Sequence, residues 1–176
     1  MDKIKGTGVA LITPFNEDFS IDYDSLEKLI NHQINGEIDF LVVMGTTGES
    51  ATLSSQERTE VITFCKKINN YRLPIVLGIG GNNTFALIEE IKSTNLEGID
   101  AILSVSPYYN KPTQDGIYLH YKMIAEVCPL PIILYNVPGR TSSNISANTT
   151  LRLANDFENI VAIKEASGDL VQIEKI

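Results

Sequence analysis

An α/β fold of alternating strand and helix units around a parallel sheet is predicted for this chain by three observations. Six short apolar runs rich in β-branched residues recur along it, and stretches of helical periodicity lie between them. The spacing from one run to the next is about 30 residues, the size of one strand plus one crossover helix, and such units pair as parallel strands.

The elements follow in order. Residues 9–12 form the first run, and Asp22 or Asp24 opens a helix whose stripe is Leu26, Leu29, Ile30 and Ile34. Residues 40–44 form the second strand. Ser54 with Glu57 three residues later then makes a capping box, followed by Val61, Cys65 and Ile68 on one face. Residues 75–77 are the third strand, and Thr84 starts a helix carrying Leu87, Ile88 and Ile91. After the fourth strand, 101–105, Gln114 opens a helix with Leu119, Met123 and Val127 as its expected buried stripe. Residues 132–134 and 160–163 complete the strands, with Ser146 preceding Leu151 and Leu153 between them. Six strands and five helices are expected, in one domain over residues 1–176. Leu170, Ile173 and Ile176 then begin an apolar stripe that stops in mid-helix.

Composition narrows the function classes. With 43% hydrophobic and 20% charged residues among 176, the chain can bury a core. A net charge of -8, with no Lys/Arg cluster interleaved with aromatics, supplies no positive footprint for nucleic acid or an anionic membrane surface. The apolar runs are too short to span a bilayer, and MDKIKGTGVALITPF lacks a signal-peptide layout, so a cytoplasmic protein is expected. Cys65 and Cys128 have no paired spacing and read as reduced packing thiols. His32 and His120 sit in helical stretches far apart in sequence, which gives a metal site or a histidine triad almost no raw material.

Alternating units fit either an open doubly wound sheet or a closed barrel. The GIGGNN run at 78–83 tests the first, and it fails: Asn83 stands where the dinucleotide fingerprint needs its last glycine. The barrel is favoured by where the unusual residues fall. GTTGES (45–50), GGNN (80–83), SPYYN (106–110), YNVPGRT (135–141) and KEASGD (164–169) all follow the C-terminal ends of strands, where barrel enzymes place their active sites. Taken singly, each has a plain structural reading: Lys164 as the first solvated residue of a loop, the tyrosines as a packed corner, GTTG as a tight turn and Arg140 as a surface residue. Together they bring an amine, phenols, hydroxyls and a guanidinium to one end. An amine that attacks a ketone must be neutral, and moving lysine from about 10.4 to near 7 or 8 takes about 4 kcal/mol, which desolvation at the end of a buried strand can supply. Glu165 would oppose that shift, but successive strand residues point to opposite faces.

The segments GTTGESATL, SPYYNKPTQDG, YNVPGRT and AIKEASGD resemble the signatures of the 4-hydroxy-tetrahydrodipicolinate synthase family, among the pyruvate-dependent Schiff-base lyases and aldolases. The resemblance runs from Gly8 to Ile176. It implies a (β/α)8 TIM barrel in which Lys164 forms a Schiff base with pyruvate, with no separate cofactor. Thr46 and Thr47 would hold the pyruvate carboxylate. Tyr135, Thr46 and Tyr109 would relay protons, the last reaching a neighbouring subunit's site in a homotetramer or homodimer. Arg140 would bind the carboxylate of L-aspartate 4-semialdehyde, the second substrate on the way to lysine and diaminopimelate. Specificity rests chiefly on Arg140 and Tyr109; N-acetylneuraminate lyase and other sibling aldolases resemble the chain less there. Ser50, Ala51, Asn82 and Tyr108 match a lysine-effector site. Ser55, Arg58 and Ala86 depart from it, which implies weak or absent inhibition by lysine. Length is the largest departure, since a closed barrel takes about 250 residues and eight strands. The chain is therefore expected to be an N-terminal fragment holding the first six strands, active in its full-length form or surviving as an inactive partial barrel.

Overall fold

A computed structural model describes residues 3–176. The chain divides into two compact units, Met1–Gly78 with Leu96–Asp100, and Ile79–Asn95 with Ala101–Ile176.

The first unit holds β1 (Gly8–Ala10), α1 (Tyr23–Asn35), β2 (Phe40–Val43), a 3-10 turn (Thr46–Gly48), α2 (Ser55–Asn69) and β3 (Ile75–Gly78). Its strands are parallel, with Val9 opposite Leu41 and Val42 opposite Val76. Asp22 caps α1 by accepting from the Ser25 amide at 2.9 Å. The expected capping box closes α2: the Glu57 amide donates to Ser54 Oγ (3.2 Å), and the Ser54 amide donates to Glu57 Oε2 (2.8 Å). Leu26, Ile30, Leu41, Val61, Cys65, Ile75 and Leu77 are buried, so the apolar faces of α1 and α2 cover the sheet. Tyr23 and Phe64 join those helices, their ring centroids 4.9 Å apart.

The second unit holds α3 (Thr84–Ser93), β4 (Ala101–Val105), α4 (Gln114–Ala125), β5 (Ile132–Asn136), α5 (Pro138–Thr141), α6 (Ala147–Asp156), β6 (Ile160–Glu165) and α7 (Leu170–Ile173). Its strands are also parallel, in chain order, with Leu103 opposite Ile133 and Leu134 opposite Ile163. Asn83, Thr113 and Ser146 cap α3, α4 and α6 with their side chains, so Thr84 and Gln114 are first helical residues rather than caps. The four-residue helices α5 and α7 come in addition to the five expected.

The expected face of α4 needs correction. Leu119 is exposed, while Ile117, His120, Tyr121 and Ile124 are buried. Two polar residues can occupy that core stripe because both find partners: the Tyr121 hydroxyl donates to the Ser104 carbonyl at 2.9 Å, and His120 Nδ1 lies 2.8 Å from the Thr84 hydroxyl. Leu151 on α6 is likewise exposed, and Leu153 alone of the expected pair is in the core.

Gly78 at the end of β3 and Gly80 after it have a packing reason. A Cβ on Gly78 would collide with the Met44 carbonyl oxygen, and one on Gly80 would sit 2.6 Å from the Val105 nitrogen. Close backbone approach accounts for these two glycines of the GIGG run.

Candidate active site

The longer strands change where the chemistry sits. Periodicity ends the fifth and sixth runs at Leu134 and Ile163, yet β5 continues through Tyr135 and Asn136, and β6 through Lys164 and Glu165. Lys164 is therefore inside a strand rather than after it. Polar side chains extend these strands because their backbones remain paired, Tyr135 with Lys164 and Asn136 with Glu165.

That register depends on an irregularity. Ile132 pairs with Ile160 but Ile133 pairs with Ala162, so Val161 is an extra residue in β6. Without it Tyr135 would face Ile163. With it, Lys164 Nζ lies 4.6 Å from the centroid of the Tyr135 ring. Tyr135 is buried, which fixes the phenol as one wall beside the amine.

Lys164 itself is exposed, as is Ala162 two residues before it. The desolvation expected at the end of a buried strand is thus not provided around this amine. The physical reason is that β6 pairs with β5 alone among the described residues, leaving its other side uncovered. The expectation for Glu165 holds: its carboxylate lies on the other face of β6, bonded to Asn136 and Gln172.

Tyr109 and Arg140 belong to neighbouring turns in this unit. The Tyr109 amide donates to the Thr141 carbonyl at 3.4 Å, next to Arg140 on α5, and both side chains are exposed. Tyr109 has φ of 74°, a left-handed conformation that a bulky residue adopts rarely and that marks a constrained turn. Asn82 donates through Nδ2 to the Tyr108 carbonyl at 3.2 Å, joining two of the expected effector residues.

Thr46 and Thr47 lie in the first unit, on the 3-10 turn after β2, with exposed side chains. The turn is anchored by the buried Thr13, whose hydroxyl donates to the Gly48 carbonyl at 2.7 Å. Ser50 and Ala51 follow in the same loop. Thr13 was not a sequence candidate, since nothing in the run at 9–12 signals a bond to a carbonyl 35 residues away. The Asn136 and Glu165 pairing was missed for the same reason.

Parallel strands from alternating β/α units define an incomplete (β/α)8 barrel, and a strand-borne lysine stands beside a tyrosine at the C-terminal ends of its last two strands. The dihydrodipicolinate synthetase family model matches residues 3–176, and the chain belongs to that family. A 4-hydroxy-tetrahydrodipicolinate synthase of Flavobacterium psychrophilum is 57% identical over 176 residues, all of this chain and 60% of the relative. The chloride-inhibited dihydrodipicolinate synthase of Acinetobacter baumannii, solved with pyruvate, has a TM-score of 0.92 at 49% identity, covering 96% of this chain and 58% of that one. A structure described as the first monomeric dihydrodipicolinate synthase variant has a TM-score of 0.94 at 40% identity, covering 99% and 58%. The chain spans about 60% of the length of the relatives it matches. No helix among the described residues is long and apolar enough to cross a membrane.

Proposed function

We propose that this chain carries the Schiff-base centre of a 4-hydroxy-tetrahydrodipicolinate synthase, acting in the cytoplasm on the route to lysine and diaminopimelate. The Lys164 amine adds to the keto carbon of pyruvate and the adduct loses water to give an imine. Loss of a methyl proton gives the enamine, whose carbon adds to the aldehyde of L-aspartate 4-semialdehyde. The amino group of that substrate then displaces Lys164 from the imine carbon, closing the ring and freeing the lysine. Nothing is oxidised or reduced, and no metal or separate cofactor is required. Tyr135, Thr46 and Tyr109 would carry the protons between these steps, a contribution of roughly 10² to 10⁴ in rate. Thr46 and Thr47 would hold the pyruvate carboxylate, and the planar fork of Arg140 suits the carboxylate of the second substrate. A homotetramer or homodimer is the assembly proposed for the full-length protein, with Tyr109 serving the neighbouring subunit.

The observation that carries this reading is the pairing of Lys164 with Tyr135 across β5 and β6, the amine 4.6 Å from the ring centroid. One observation favours a second reading, a partial barrel without catalysis: Lys164 is open to solvent. Borohydride reduction in the presence of pyruvate separates the two. Under the first reading, intact-mass and peptide analysis find one carboxyethyl group, on Lys164, and none in K164R. A folded protein that stays unmodified supports the second.

A further inference from the structure

The face of the sheet opposite Lys164 carries a polar network that the reaction does not use. Asn136 is fully buried, and its Nδ2 lies 2.9 and 3.1 Å from the two Glu165 carboxylate oxygens and 2.8 Å from Asn144 Oδ1. Its Oδ1 accepts from the Ile145 amide at 2.9 Å. Glu165 also accepts from the Ser167 amide (2.8 Å) and from Gln172 Nε2 (2.9 Å). Gln172 on α7 is in turn bonded to Asn144 and to the Ile145 carbonyl. The ends of β5 and β6, the turn before α6 and the first turn of α7 are therefore tied to a single carboxylate.

The registers of the two faces are linked. Tyr135 and Asn136 are consecutive on β5, Lys164 and Glu165 on β6, and each residue pairs with its counterpart. Since consecutive side chains emerge on opposite faces, holding Asn136 against Glu165 behind the sheet holds Tyr135 against Lys164 in front. Val161 already adds one residue to β6, and the alternative register, with that residue taken into the ladder, would set Ile163 opposite Tyr135. The back pair selects between them.

We infer that Glu165 and Asn136 are positioning residues that lock β6 in the register bringing the Lys164 amine to Tyr135. This rests on the reading that Lys164 is the reacting amine. Asn136 Nδ2, the Ser167 amide and Gln172 Nε2 all donate to Glu165, so the site demands an acceptor on both oxygens, which a carboxylate supplies and an amide does not. Burial works to raise the Glu165 carboxyl, but the bonds from Asn136, Gln172 and Ser167 together hold it below the ordinary glutamate range, so it stays an acceptor at neutral pH.

The test uses three proteins: wild type, E165Q, and the compensating double variant N136D/E165Q, which returns an acceptor opposite the new amide. Two quantities are measured on each: hydrogen exchange of the 160–167 segment, where the Ala166 amide donates to the Asn136 carbonyl at 2.8 Å, and the rate of borohydride trapping against pyruvate concentration. E165Q is expected to speed exchange there at least about tenfold. It should lower the saturating trapping rate roughly 10- to 100-fold with little change in half-saturating pyruvate, the size a misplacement of about 1 Å gives. The double variant restores the pair between residues 136 and 165 but loses the bond from Ser167 or Gln172, so it should recover part of both, which general destabilisation would not produce. Exchange in E165Q within about twofold of wild type, or no recovery in the double variant, overturns the inference. If wild type itself traps no pyruvate the functional reading falls, and the exchange arm still decides whether the back pair sets the register.

Discussion

Acidification should destabilise the protein through one buried ring. His120 is 4% exposed on the core face of α4, and burial lowers its pKa from 6.5 to about 4. The geometry explains the direction. Nδ1 is taken up by the Thr84 hydroxyl, the Tyr121 ring stands edge-on at 5.1 Å, and buried Nε2 has no hydrogen-bond partner. Whichever neutral tautomer it starts from, the charged ring carries an N–H on Nε2, where no acceptor waits, and its positive charge has no water around it. Because the folded pKa is depressed, the contribution to stability is fully present above about 6.5 and is lost as pH falls toward about 4. Below about 4 both states bind the proton and the loss levels off. Across the whole window the loss is about 3 kcal/mol, and about 2 kcal/mol of it has gone by about pH 5. Urea unfolding at about pH 7.5 and about pH 5 measures it, with H120Q as the non-titrating reference. Wild type should lose about 2 kcal/mol more than H120Q between those conditions. The hydrogen-bonded carboxylates of Asp18, Asp22 and Glu57 have lowered pKa values, so they titrate below most of this window and cancel in the comparison. Equal losses in the two proteins would refute the reasoning, because the ring would then be taking up its proton as easily folded as unfolded.

Two further outcomes are open to the same assay. Ser54→Ala removes the acceptor for the Glu57 amide and the hydroxyl that donates to Glu57 Oε2, while the return bond from the residue-54 amide survives, and is expected to cost about 1 kcal/mol in stability with an unchanged m-value. Tyr121→Phe keeps the ring but removes the side-chain donor to the Ser104 carbonyl, which keeps its place in the β4–β5 ladder, for a loss of about 1 kcal/mol.

The middle of every strand was legible in the sequence, because β-branched apolar runs between helical stretches admit few alternatives. The ends were not. At Tyr135, Asn136, Lys164 and Glu165 polar side chains continue strands whose pairing is set by residues far away in sequence, and the bulge at Val161 has no local signal at all. Helix faces were legible where the buried stripe is wholly apolar, as in α1 and α3. In α4 the reading chose Leu119 and Met123 over His120 and Tyr121, since hydrophobicity alone cannot foresee that Thr84 and the Ser104 carbonyl will satisfy two polar groups in the core. For the candidate site, Lys164 and Tyr135 stood out in the sequence by residue type and by their place at the ends of strands. The Asn136–Glu165 pair on the other face of β5 and β6, and the Thr13 bond that anchors the threonine turn, are long-range bonds that one sequence does not display.

Each compact unit happens to contain one sulfhydryl. Cys65 on α2 is 1% exposed and burial pushes it up to about 12; Cys128 after α4 is 6% exposed and is also pushed up by burial, which outweighs a backbone hydrogen bond with Leu130. Alkylating reagents attack the thiolate, so neither site reacts until its surroundings open. The chain thus comes with two internal clocks, and iodoacetamide pulses followed by peptide mass spectrometry would time both in one sample. Matching half-lives would mean that the two halves come apart in a single event; unequal ones would reveal which half gives way first.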